Sequence, residues 1–360
     1  MPTFSHLNFL TLLLCYVLVV LGAFVRLSNA GLGCPDWPGC YGQVGVPDAA
    51  HEIAAAERKY PNRPVEAAKA WKEVAHRYVA GIVGLLIAAL AVLAWRDRSG
   101  RLPRRIAVAT AAVVLVQIVF GALTVTLKVN PLIVTTHLML GLTTLSLLWW
   151  MWLGSRSGEA PPVVMKDCAM RNERLSWQGM GSRASPHAAQ RSLALLRPLA
   201  LLALALLIAQ IFLGGWTSTN YAALACPDFP ACQGSFLPKT GISDAFKLWH
   251  GHDIDYEYGI LDVAARATVH LVHRYGALVL SVVLVGIALY LLKTGITALR
   301  RIGTALFAAL ALQVGIGIGL VRLQLPLWLA DAHNAGAALL LLVVLALNHR
   351  AWSVPAAATD

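Results

Sequence analysis

Two histidines and two cysteines occur twice over in this chain, and a single glutamate breaks the symmetry. His76-Arg77-Tyr78 returns as His273-Arg274-Tyr275, His137 returns as His333, and Cys34-Pro-Asp-Trp-Pro-Gly-Cys40 returns as Cys226-Pro-Asp-Phe-Pro-Ala-Cys232, each after 192–197 residues. Gln117-x-x-x-Gly121 returns in step as Gln313-x-x-x-Gly317. Four landmarks at nearly one spacing mark two related halves, each with a pair of histidines about 60 residues apart.

Within a half, both histidines begin apolar helices that run in the same direction, so their rings can face each other at similar depth. That is the arrangement for axial ligation of a haem iron by two imidazoles, with the porphyrin between the helices and its carboxylates toward the outer surface. Arg77 and Arg274 are placed to meet those carboxylates, or else to snorkel to the interface. One intramembrane histidine is more often a packing residue than a ligand; four in a repeated pattern point to iron. His270, one turn before His273, is a second candidate in half two, and the shared His-Arg-Tyr alignment favours His273.

At the position where half two has His270, half one has Glu73. Residues three apart share a helix face, so Glu73 stands one turn above His76, where a carboxylate can take a proton or stabilise positive charge developing on a ring substituent. The plainer alternative is an interfacial ion pair with Lys69, Lys72 or Arg77. The asymmetry suggests that half one reacts and half two holds a permanent cofactor.

The elements that position these groups follow from composition. At 58% apolar and 13% charged residues the chain is of the membrane class. Eight runs, about 7–25, 77–95, 106–127, 132–153, 193–215, 267–292, 302–321 and 326–347, approach the ~20 residues that span a bilayer, and in hydrocarbon they must be helices. The first run aligns with the fifth and has no Lys or Arg before it, which favours a retained helix over a cleaved signal. Arg96, Arg98, Arg101, Arg104 and Arg105, the basic 154–192 segment, and Lys293, Arg300 and Arg301 fall on one side, which places both termini in the cytoplasm and the long loops 26–75 and 216–266 outside. The net charge of +11 then reflects orientation and anionic lipid, with nothing that implies nucleic acid.

The expected fold is an all-α integral membrane protein of eight transmembrane helices in two tandem, parallel-repeat four-helix bundles: residues 1–153, a cytoplasmic linker 154–192, residues 193–350 and a tail 351–360. In the first outer loop, Ala49–Lys59 reads as a short helix, and Pro64 as the first residue of another that runs into the second span; Ile260–Ala267 plays that part in half two. Cys34, Cys40, Cys226 and Cys232 lie outside, where disulfides persist, and pairing within each short span is the local choice. A loop clamp and a redox role both remain open; no histidine sits at zinc-ligand spacing beside either pair. Cys15, in the first helix, and Cys168, in the linker, are expected to stay reduced.

Gly22-Ala23-Phe24-Val25-Arg26-Leu27 before the Cys34 loop, Glu73-x-x-His76-Arg77, the second Cys pair, His273-Arg274, His137 and His333 together resemble the haem A synthase family (CtaA/COX15) over nearly the whole chain. The resemblance implies oxidation of the C8 methyl group of haem O to the formyl group of haem A for terminal oxidases, with oxygen from water. It implies Glu73 as the catalytic carboxylate, His76 and His137 at the substrate haem, and His273 and His333 as the iron ligands of a haem b cofactor. It places the protein in the inner (plasma) membrane with its Cys loops periplasmic. An electron acceptor is implied but not visible, a haem O synthase is a natural partner, and the Gly-rich helix faces are compatible with a homo-oligomer. The sequence departs from the family pattern in its long stretch between Cys40 and Glu73. A two-haem b-type electron carrier would explain the histidines but not Glu73 or the cysteine loops; a transporter of parallel repeats would be colourless.

Overall fold

A computed structural model describes residues 2–156, 186–251 and 254–353. Most of the expected linker, Cys168 included, and most of the 351–360 tail lie outside the described residues. The described chain is helical: α1 (Pro2–Leu27), α2 (Ala50–Lys59), α3 (Ala67–Arg96), α4 (Arg104–Thr126), α5 (Pro131–Arg156), α6 (Pro186–Thr219), α7 (Ile242–Ala245), α8 (Val263–Lys293), α9 (Thr297–Arg322) and α10 (Leu327–Ser353). All but α2 and α7 are long and apolar enough to cross a membrane, which makes this a multi-pass membrane protein with eight spans.

Contacts divide the spans into two closed rings. α1 packs on α3 and α5, and α4 joins α3 to α5; α6 packs on α8 and α10, and α9 joins α8 to α10. The histidine-bearing helices, α3 with α5 and α8 with α10, therefore stand at opposite corners of their rings. The rings meet where α1 touches α10 and where α5 touches α6 and α10. Leu145, Leu148, Leu340, Val344 and Leu347 are fully or almost fully buried in one cluster that crosses this seam. Lipid is as apolar as leucine, so close packing and interhelical hydrogen bonds must hold the seam, at about 0.6 kcal/mol for an average bond. Tyr16 donates to Ala335 O (3.1 Å) and Trp149 Nε1 to Leu342 O (2.9 Å). At the end of the bundle that carries the two long loops, Arg26 donates to Ser218 O (2.7 Å) and Thr219 O (3.3 Å), placing a cation on the carbonyl end of α6.

Four helices end alike at the face that carries the two long loops. α1, α4, α6 and α9 each close with a backbone bond reaching five residues back, Ala30 N to Val25 O, Val129 N to Thr124 O, Ala222 N to Thr217 O and Leu325 N to Leu320 O (2.8–2.9 Å). This satisfies otherwise orphaned helix carbonyls and turns the chain sharply.

Helix starts differ from expectation in detail. Pro64 is not a first helical residue: its carbonyl accepts from Tyr41 Oη (2.9 Å) and α3 begins at Ala67. In half two, Asp262 caps α8 by accepting from Ala265 N (2.7 Å), so the helix starts at Val263 rather than Ile260. α6 already begins at Pro186, inside the segment read as linker.

Candidate functional site

Each of the four repeated histidines packs against a glycine of the helix preceding it in its ring. A Cβ on Gly22 of α1 would lie 3.0 Å from His76 Nε2; one on Gly121 of α4, 3.3 Å from His137 Cε1; one on Gly214 of α6, 3.2 Å from His273 Cε1; and one on Gly317 of α9, 3.2 Å from His333 Cε1. The absent side chain lets each ring lie against its neighbour's backbone. All four histidines are half-buried. His137 lies within electrostatic reach of His76, and His333 within reach of His273, so the opposite corners do bring each pair together.

His270 is set apart from them. It is 5% exposed, and its Nε2 accepts from Arg274 Nε (3.1 Å). That contact turns it toward the outer loop, while His273 meets Gly214 inside the ring. The geometry thus favours His273 for the interior.

Glu73, also 5% exposed, occupies the matching place in half one. Its Oε2 accepts from Cys34 N (2.8 Å) and its Oε1 from Arg77 Nη2 (2.5 Å). The ion pair with Arg77 foreseen as one alternative is present, and neither Lys69 nor Lys72 takes part: Lys69 pairs with Glu66.

The outer loops are built to one plan. The structure joins Cys34 to Cys40 and Cys226 to Cys232. Inside each loop an aspartate turns the chain: Asp36 accepts from Tyr41 N (2.6 Å) and Gly42 N (2.7 Å), and Asp228 from Gln233 N (2.6 Å) and Gly234 N (2.8 Å). Gly42 and Gly234 have φ of 80° and 77°, the left-handed region that glycine enters without strain. Backbone amides hold the Asp228 carboxyl below its ordinary value. Arg77 donates to Pro38 O, Gly39 O and Asp36 O, and Arg274 to Ala231 O and Cys226 O. Most of each guanidinium is spent on loop carbonyls and on the residue one turn before it.

A family model for the cytochrome oxidase assembly protein COX15-CtaA matches residues 5–345. The chain belongs to this family. It is 38% identical to a haem A synthase of Shewanella oneidensis over 95% of each chain, and 28% identical to one of Caulobacter vibrioides over 96% of this chain and 94% of that one. A partial match, 31% identical over 44% of this chain and 30% of the relative, joins it to a protohaem IX farnesyltransferase of Natronomonas pharaonis.

The family is haem-associated, and the residues present fit such a group. Each half offers two imidazoles from opposite corners, and each imidazole is seated on a glycine that any side chain would displace. His137 Nδ1 and His333 Nδ1 are buried without a described partner, as is His270 Nδ1, so it is the glycine seats that carry the fit. Sequence reading missed the roles of three residues at this site. Gln210 bonds His273, and its signal was the Gln-x-x-x-Gly spacing shared with Gln117 and Gln313. Gly22 and Gly214 were noted only as an alignment.

Proposed function

We propose that the protein is a haem A synthase, oxidising the C8 methyl group of haem O to the formyl group of haem A. The observation that carries the reading is Glu73, the one buried carboxylate among the described residues, one turn from His76 in half one, where half two has His270. The full-length similarity to the Shewanella oneidensis synthase supports it independently.

On this reading, residues 1–153 hold the substrate haem between His76 and His137, and residues 193–350 form the cofactor half. A haem b ligated by His273 and His333 supplies an electron relay when bound. Converting methyl to formyl adds the oxygen of one water and releases four protons and four electrons. Glu73 is the base that takes a proton from the attacking water. The Cys34 amide and Arg77 fix its carboxylate, so no reorientation is needed when charge develops. The electrons leave through an acceptor outside this chain.

The basic stretches at 96–105 and 293–301 support an inner-membrane orientation with cytoplasmic termini and periplasmic Cys loops. The partial farnesyltransferase match supports a haem O synthase as supplier of substrate.

Replacing Glu73 with alanine is the test, with extracted haems resolved by chromatography. Haem O should accumulate and haem A fall by about 100-fold or more, the contribution of a general base. Unchanged haem A output would remove Glu73 from the reaction.

A further inference from the structure

Three of the four interior histidines are held by a glutamine, and the fourth is not. Gln117 of α4 donates from Nε2 to His137 O (3.0 Å) and lies 3.4 Å from His137 Nε2. Gln313 of α9 does the same to His333, at 3.0 and 3.4 Å. Gln210 of α6 reaches His273 O and His273 Nδ1, both at 2.9 Å. In every case the glutamine stands one turn before the glycine that seats the ring. The amides are tightly housed as well: a Cβ on Gly141 would lie 3.3 Å from Gln117 Nε2, and one on Gly276 or Gly336 would overlap the Gln210 or Gln313 Oε1.

On α1 the residue one turn before Gly22 is Leu18. It can neither donate nor accept. His76 takes part in no described hydrogen bond, and its ring lies against Gly22. The helix position that receives the amide in the other three sites (Gly141, Gly276, Gly336) has no glycine counterpart on α3, where Val79 and Ala80 follow His76 by three and four residues.

All three accepting carbonyls belong to the histidines themselves, so each glutamine fixes the backbone that carries the ring. Groups that orient a ligating imidazole strengthen the metal bond, and their loss typically costs 10–100-fold in affinity.

We propose that Gln117, Gln210 and Gln313 are positioning residues that preset three iron ligands, and that Leu18 leaves His76 as the one ligand able to let go. His76 would then be the side through which haem O is taken up and haem A surrendered, while the other three rings stay in place. The inference rests on the haem-ligation reading above. It adds which coordination bond opens, and it explains why two halves of one plan treat their haems differently: one must exchange its haem and the other must keep it.

Carbon monoxide tests this on the purified, haem-loaded protein without reference to turnover. Reduced haem with two protein ligands takes up CO only when one ligand leaves, and the absorption change reports the rate. In the parent protein, loaded with haem O, the half-one haem should react and the half-two haem should not. Leu18→Gln should slow CO uptake at half one by roughly tenfold or more, and Gln210→Leu should make the half-two haem reactive by a similar factor, both within the range for lost or gained support of a ligand. Haem content is measured alongside. Equal CO reactivity in the parent and Gln210→Leu proteins, both carrying haem, overturns the proposal even if Leu18→Gln fails to fold. A parent protein with no haem at all overturns the ligation reading beneath it, and the two failures cannot be confused.

Discussion

Replacing Arg77 with methionine should be among the most damaging single changes in the outer half of the molecule. The guanidinium bonds Pro38 O (3.2 Å), Asp36 O (3.1 Å), Gly39 O and Glu73 Oε1 (2.5 Å). Its side chain is 16% exposed and that of Glu73 6%, so solvent screens the pair little. Removing one member of a buried ion pair typically costs about 3–5 kcal/mol, because the other charge stays behind unpaired. Glu73→Gln should cost less, about 1–2 kcal/mol, since Arg77 keeps its loop carbonyls and the amide can still bond. The double variant, with no charge left to strand, should be less destabilised than the two singles combined by about 2 kcal/mol, within the range seen for coupled neighbours. Arg274→Met is the internal control: its partner one turn back is His270 rather than a carboxylate, so the expected loss is about 1–3 kcal/mol from the hydrogen bonds alone. Reversible unfolding in mixed detergent micelles measures all four variants on one scale. Equal losses for Arg77→Met and Arg274→Met, or strict additivity of the Arg77 and Glu73 changes, would refute the view that a buried ion pair anchors the first disulfide loop.

Two further outcomes follow from the same geometry. Gly317→Val would drive a side chain into a ring only 3.2 Å from where even a Cβ would sit, so the purified protein should lose the half-two haem; Gly286→Ala, which meets nothing within 4 Å, should keep full haem content and gain about 0.5–1 kcal/mol of helix stability. Arg63→Ala cuts the ion pairs from the first outer loop to Asp255 and Glu257 of the second, yet these groups are partly solvent-exposed, so the loss should stay within about 1 kcal/mol and shrink further in high salt; a larger change in the unfolding midpoint would show that these pairs, and not the helix seam, join the halves.

Class, spans and repeated landmarks are all legible from composition and spacing. Runs of apolar residues long enough to cross hydrocarbon leave the backbone no choice but helix, and charged loops can be read without coordinates. The four interior histidines were legible because the chain states the pair twice. Glu73 was legible because one of the two statements differs. Helix starts were less so: Pro64 has the right chemistry for a first turn, but a hydroxyl from Tyr41, far back in the loop, claims its carbonyl.

What the arginines, glutamines and glycines do depends on how the helices and loops pack. Arg77 and Arg274 look from sequence like cations awaiting an anion, and it is the folded loops that bring carbonyl oxygens to them. Gln210 lies 63 residues from the ring it holds, and no spacing rule links them. His270 and His273 share one helix and one residue type, and what separates them is which neighbour each faces: the Arg274 guanidinium for one, the α6 glycine for the other. Periodicity and composition are properties of a segment, whereas the partner of a buried polar group is set by which helices share a ring. That is fixed only when the whole bundle packs.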